Sequence, residues 1–583
     1  MQSDNRLRKT LTRWELTYLS LGGIIGSGWL FAPLAAAAYA GGASIISWIL
    51  GGILMIFIAL SYAEISSAIP KSGGIIRYPH YTHGRIVGFT MAWVYLISAV
   101  STVSIEAIAT TTYLSHFVPS LYNVQEDSLT LQGILVTYVL LLIFFFANYF
   151  GVKILGRISH GIGWWKLIIP TVTAILLFIY FNPQNFSNFI SNNVEGYGGI
   201  NGILYAIPSS GIIFSYLGFR QAIEYGGEGK NPQKDIPFAI ISSLLIAMLI
   251  FTILQIGFIG SINWSKIGLS PGDWGSLLSS PLSNAPIYSV FEINGVSLFL
   301  DIWLSILIFD AIISPAGTGI IYTGTTARTF YGSATNGYLP RIFSEIKKTG
   351  IPEFSLIVSI IAAAIFLLPL PSWYAIVSIS SSATVLTYIM GGIGLHSLRH
   401  VASDLRRPYE LKLWKIIAPI STITAGLLVY WSGFSTLFYI IVMGLLGLTV
   451  FFALNSKMKI INITSGIIIL FSSYLFYMAT NGLNYSNNIG LLLFLLMITS
   501  TIILQSLFIN IPIKEIKASL WLLIFMLGIM PLSYFSPFGL VDLIPFPYDL
   551  IIVSLILIGI HYAAVKSSIR TSELEEIINA NAV

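Results

Sequence analysis

Apolar residues in this chain gather in long unbroken blocks separated by short polar stretches, without the alternation that barrel strands would show. Crossing ~30 Å of hydrocarbon takes a helix of roughly 20 residues at 1.5 Å per residue. Blocks of that length predict spans near 15–39, 43–68, 86–116, 131–150, 158–181, 203–227, 236–260, 297–325, 353–370 and 373–396, then 413–431 and 434–454. Four more, near 459–479, 487–509, 517–535 and 549–566, bring the expected total to about 16. The fold class predicted is an all-α polytopic membrane protein.

Composition agrees with the pattern. Of 583 residues, 55% are hydrophobic and 9% charged, against about 25% charged in an ordinary soluble domain. No stretch reads as a soluble domain. Met1 to Arg13 is short and basic and leads into a span of ordinary length with no small-residue cleavage site behind it, so a retained first helix is expected rather than a signal peptide.

The net charge of +5 also has an orderly placement. With the N-terminus in the cytoplasm, all Lys and Arg residues fall on that side except Lys166 and Arg220, which lie within spans, and Lys266, in an outer loop. A span missed or invented would invert every loop after it, so the bias supports both count and orientation. The positive charge then faces anionic lipid and needs no nucleic acid. The layout predicts a multi-pass cell-membrane protein with cytoplasmic termini: residues 1–14, a ten-span core over 15–400, two spans over 401–455, further spans over 456–566 and a tail over 567–583. Glu573, Glu575 and Glu576 give that tail a short amphipathic pattern, expected as a solvated end.

Span 1 carries Gly22, Gly23, Gly26 and Gly28, and each glycine weakens a helix interior by roughly 1 kcal/mol relative to Ala. Within a membrane, a break is tolerated only where protein or a water-filled cavity satisfies the freed amides. Span 6 repeats the feature with Pro208, Ser209, Ser210 and Gly211 early and Ser215, Tyr216, Leu217, Gly218 and Phe219 near its middle. The two are five spans apart, an odd number, so they run in opposite directions. Matched breaks in oppositely oriented halves point to a carrier site at mid-membrane; small residues that only let helices pack closely are the alternative.

Several runs resemble a known family. GGIIGSGW in span 1, YAEISSAIPKSGG at 62–74, GFRQAIEYGGEGKNPQKDIPFAI at 218–240 and NGYLPRIF at 336–343 resemble motifs of the amino acid–polyamine–organocation (APC) transporters, in their order and over roughly residues 10–455. The resemblance implies a leucine-transporter-type 5+5 inverted repeat. It places the substrate carboxylate at the amides of Ile25, Gly26, Ser27 and Gly28, and the α-amino group at freed carbonyls of Gly22, Gly23, Phe214 and Ser215. Tyr216 and Phe219 would flank the side-chain pocket beside Gly218. The family more often has Glu where this chain has Arg220.

Charges inside a membrane are costly and are functional hypotheses by default. Lys166 lies near the middle of span 5. In some proton-coupled relatives a lysine at a similar place stands where sodium-coupled ones hold an ion; a lysine so buried can release and regain a proton, or it can be permanently paired. Asp310, beside Ser314 in span 8, is its candidate partner. Glu106 in span 3 could select a cationic side chain, titrate, or pair Arg220. Glu64 and Glu224 are expected in interfacial pairs with Arg77 or Lys230, and Glu15 and Asp301 receive no role.

Enzymatic chemistry finds no support. There is no Cys, so disulfides, thiolate catalysis and Cys-ligated metal are excluded. No P-loop and no nucleophile–base constellation stand out, and His80, His83, His160, His396 and His400 are read as solvated or interfacial, so no metal or cofactor is expected. The expected function is secondary active transport of amino acids, by proton-coupled symport. Sodium-coupled or exchanging transport of amino acids or polyamines, and a non-transporting sensor or subunit, are the alternatives. Expected partners are the amino acid or amine, a proton or sodium, and membrane lipid; oligomeric state is not legible.

Overall fold

The computed structural model describes residues 7, 9–123, 128–150, 152–191, 197–295, 297–346, 350–368, 372–456 and 458–582. Of the basic pattern, Arg6, Arg8, Lys347, Lys348 and Lys457 lie outside the described residues, as do the side chains of Lys153, Arg157 and His160. Helix α1 (Arg13–Ile24) begins where Thr12 and Glu15 cap it reciprocally: Glu15 N–H donates to Thr12 Oγ1 at 3.4 Å and Thr12 N–H to Glu15 Oε2 at 2.7 Å. Glu15, given no role above, thus starts the helix that carries the first break.

The chain forms two compact units. The first comprises Met1–Gly74 and Ser98–Ser381. After α1 it holds α2 (Gly28–Ala40), α3 (Ser44–Ala68), the later part of α4 (Gly74–Leu114), α5 (Leu131–Tyr149) and α6 (Val152–Leu177). A broken stretch follows as α7 (Gly199–Ser209), α8 (Ile212–Tyr216) and α9 (Gln221–Glu224), then α10 (Pro232–Gly260), α11 (Pro286–Asn294), α12 (Leu298–Thr335), α13 (Glu353–Phe366) and the start of α14 (Trp373–Val401). Helix α1 packs against α6, α10 and α12, and α3 against α10. The second unit, Ile75–Ile97 and Ser382–Val583, holds the remainder of α4 and α14, then α15 (Trp414–Tyr430), α16 (Phe434–Leu454), α17 (Lys459–Ala479), α18 (Asn488–Ser506), α19 (Ile513–Tyr534), α20 (Tyr548–Ser567) and α21 (Ser572–Ala582).

A helix lies within every predicted apolar block, and among the described residues twelve helices are long and apolar enough to cross a membrane, or thirteen if the pair bent by 45° around Ser210 is one span. Edges differ from expectation for physical reasons. Helix α12 runs ten residues past the predicted end at 325 because its polar end is satisfied inside protein: Arg328 Nε meets Glu228 Oε1 at 2.5 Å and its guanidinium lies 3.9 Å over the Tyr225 ring. Helix α4 starts at Gly74 and breaks at Gly84, whose φ of 77° suits glycine. Outward rows of large apolar side chains recur at helical spacing, as in Leu131, Leu135, Val139, Leu142 and Phe146 of α5 and Ile460, Ile463, Ile467, Leu470 and Tyr474 of α17. Such faces suit hydrocarbon, not water.

Two expectations are corrected in the second unit. His80 and His83, read as solvated or interfacial, are buried: His83 lies 3.1 Å from the Ala564 carbonyl, and His396 meets the buried His561 at 2.9 Å, which also meets Thr422 at 2.8 Å. Burial among polar partners on neighbouring helices overrides the inner-loop position that suggested solvent. The tail is also no solvated end. Leu574, Ile577 and Ile578 of α21 are buried, Ile569 N–H donates to the Thr82 carbonyl at 2.8 Å, and Arg570 pairs with Asp404 at 3.1 Å. Glu573 lies 3.5 Å from His80 Nε2, and that hydrogen bond holds its carboxyl at about 2, below the usual 4.5. Its stabilising contribution is therefore complete above pH 4.5 and lost as pH falls towards 2. Glu573→Gln at neutral pH should expose the tail to limited proteolysis faster than in the wild type, and acidification towards pH 2 should remove the difference.

Candidate functional site

The break in the first span is a true interruption. Helix α1 ends at Ile24, Ile25 leaves helical geometry at φ −89°, ψ 81°, and α2 restarts at Gly28 with Ser27 as its first cap. The break around α7–α9 begins at Gly211, whose φ is 96°, and tightens into a 3-10 turn over Leu217–Arg220. The two interruptions touch. A Cβ on Gly218 would fall on the backbone of Gly23 and Ile24, and one on Gly28 would fall on Ser215 Oγ. Glycine at these places allows backbone to approach backbone.

Breaking a helix in a dry interior strands peptide groups, and each needs a partner. The Gly22 carbonyl accepts from Lys166 Nζ at 2.8 Å and from Thr318 Oγ1 at 2.7 Å, and Lys166 also donates to Thr318 at 2.5 Å. The Ile25 carbonyl accepts from Ser314 at 3.1 Å and from Thr318 at 3.3 Å. Ser27 N–H donates to Glu106 Oε2 at 2.9 Å, while Ser27 Oγ accepts from Trp373 Nε1 at 2.8 Å. All these side chains are at most 2% exposed. Side chains from four helices, α4, α6, α12 and α14, thus converge on Gly22, Ile25 and Ser27. Trp373 stacks on Phe31 at 5.0 Å and meets Phe214 edge-on at 6.1 Å, closing the site with aromatic rings.

The residues singled out in the sequence divide accordingly. Gly22, Gly23, Ile25, Gly26, Ser27, Gly28, Ser215, Gly218, Glu106, Lys166 and Ser314 meet at the paired breaks. Phe214 borders them through Trp373. Phe219 is tied back by its carbonyl, which accepts from Ser20 Oγ at 3.2 Å. Tyr216 turns elsewhere, packing edge-on against Trp48 and donating to its carbonyl at 3.1 Å. Asp310 does not pair directly with Lys166: it accepts from Trp165 Nε1 at 2.6 Å and acts on the ammonium only through space. Glu106 turns to Ser27 rather than to Arg220, whose guanidinium lies 5.0 Å over the Tyr322 ring. Sequence reasoning missed Thr318, the hydroxyl that joins Lys166 to both carbonyls. The signal was available: Thr318 follows Ser314 by one helical turn on the same face.

Gly218→Ala places a methyl against backbone that no rotamer change relieves, so it should cost about 1–3 kcal/mol as overpacking. Gly528, inside α19 with open space around its Cα, is the contrast; Gly528→Ala should hold or gain up to about 1 kcal/mol. Thermal melts of the two purified variants test the difference.

A family model described as an amino acid permease matches residues 11–458. Among curated proteins of Bacillus subtilis (strain 168), the chain is 33% identical to the glutamate/serine transporter AimA over 99% of its own length and 97% of the relative's. It is 37% identical to the aspartate-proton symporter, covering 76% of this chain and 82% of that protein. A gamma-aminobutyric acid permease is 27% identical over 71% of this chain.

Proposed function

The chain belongs to the amino acid permeases of the APC superfamily, and on that premise we propose that it moves amino acids by proton-coupled symport, with alternating access around the paired breaks. The observation that carries this reading is the position of Lys166. Its ammonium sits on the Gly22 carbonyl at the break itself, so gaining or losing the proton there changes which groups hold α1 to α6 and α12. Asp310 lies within electrostatic reach, with Oδ2 buried and without a hydrogen-bond partner among the described residues, which suits a proton in transit. One relative's name includes proton symport, which supports the same coupling ion.

In this reading the amides of Gly26, Ser27 and Gly28 receive the substrate's carboxylate at the N-terminal end of α2, where the helix dipole favours negative charge. The breaks belong to the two oppositely oriented halves of a 5+5 repeat, within about 16 spans, and the termini are cytoplasmic. The relatives' names favour small polar and acidic amino acids as cargo. Both breaks are intact, which favours a working carrier over a sensor.

The test is uptake into proteoliposomes. L-serine, L-aspartate and L-glutamate should accumulate under an imposed pH gradient, acid outside, and not under a sodium gradient alone. Lys166→Ala should lose accumulation driven by the pH gradient. Sodium-driven uptake, or an unchanged proton dependence in Lys166→Ala, would reject the coupling.

A further inference from the structure

Glu106 occupies an unusual place for a carboxylate. It reaches from α4 into the break between α1 and α2 and accepts the Ser27 N–H at 2.9 Å, at the cap of α2. Both residues are buried, Glu106 at 1% exposure and Ser27 at 0%. The fit is close: a Cβ on Gly26 would come within 2.6 Å of Glu106 Oε1. This N–H is one of the donors that the proposed function assigns to the substrate's carboxylate. One donor cannot serve two carboxylates, and two negative groups in one dry cradle repel.

We propose that Glu106 is the resident occupant of the cradle, a tethered stand-in for the substrate's carboxylate that must leave Ser27 before an amino acid can bind. The inference rests on the reading of the α1–α2 break as the substrate site. It explains why the broken backbone is not stranded when the carrier is empty: the Ser27 amide, which would be costly to bury alone, always has an acceptor. It also sets a selection rule. A bare carboxylate cannot outcompete Glu106, which is held at high effective concentration by its own helix. A ligand must bring a second anchoring group, as the ammonium of an amino acid does. Displaced Glu106 is not left without a counter-charge. Lys166 on α6 acts on it electrostatically, with Asp310 of α12 facing Lys166 and Arg220 facing the Tyr322 ring, which Glu106 also influences.

The test uses the full-length purified protein and acetate as the simplest carboxylate. Glu106→Ala leaves the cradle vacant, so acetate should raise its melting temperature by a few degrees and compete with L-serine, L-aspartate or L-glutamate for binding; neither effect should occur in the wild type. Glu106→Gln keeps the shape with a neutral acceptor that yields more easily, so the best-bound of these amino acids should bind it about fivefold more tightly. The proposal is overturned if acetate affects the wild type and Glu106→Ala alike or affects neither, or if Glu106→Gln binds amino acids no better or loses them, which would make Glu106 a ligand of the ammonium instead. If wild type and both variants bind none of the three amino acids while remaining folded, the transport reading has failed and takes this one with it.

Discussion

A peptide group freed from its helix has no water to turn to inside a bilayer, and that constraint organises the site. Between Ile24 and Gly28 the chain gives up helical hydrogen bonds; the Gly26 amide turns back to the Ile24 carbonyl, and other helices supply the side chains that replace the rest: Lys166 from α6, Ser314 and Thr318 from α12, and Glu106 from α4. The break is therefore also a junction. Helices α1, α4, α6 and α12 are joined there by polar contacts, and a change in any one partner is felt by the others.

This arrangement links stability to function. Polar groups in a dry interior bind strongly when matched and cost heavily when not. A site assembled from broken backbone and four side chains is thus poised to exchange partners, the event that a carrier needs at each half of its cycle. In the proposed cycle a proton on Lys166 and a carboxylate at Ser27 would act on groups only a few residues apart, which would give their coupling a physical basis. Glycine at positions 23, 26, 28 and 218 is what lets the participants come close enough.

Much of this was legible in the sequence. Apolar block length places the helices, since only a run near 20 residues spans hydrocarbon. The glycine clusters locate both breaks, and intramembrane charge identifies Lys166, Glu106 and Asp310 as residues needing an explanation. What was not legible is who satisfies whom. Asp310 and Lys166 sit on helices expected to be neighbours, yet the carboxylate goes to Trp165, because a fraction of a helical turn decides the partner and periodicity does not resolve it. Tyr216 is one residue from Ser215 and faces α3 instead of the break, a rotation of about 100° along a helix. The buried His561 and the docked α21 depend on contacts from distant segments, which local pattern does not carry.

The most direct test of the central claim is a double-mutant cycle on thermal stability with Lys166→Met and Thr318→Val. If the two side chains share the Gly22 carbonyl, the paired change should cost less than the sum of the single ones, with a coupling of about 1 kcal/mol. Strict additivity would show that the broken backbone is held by other means and would contradict the account.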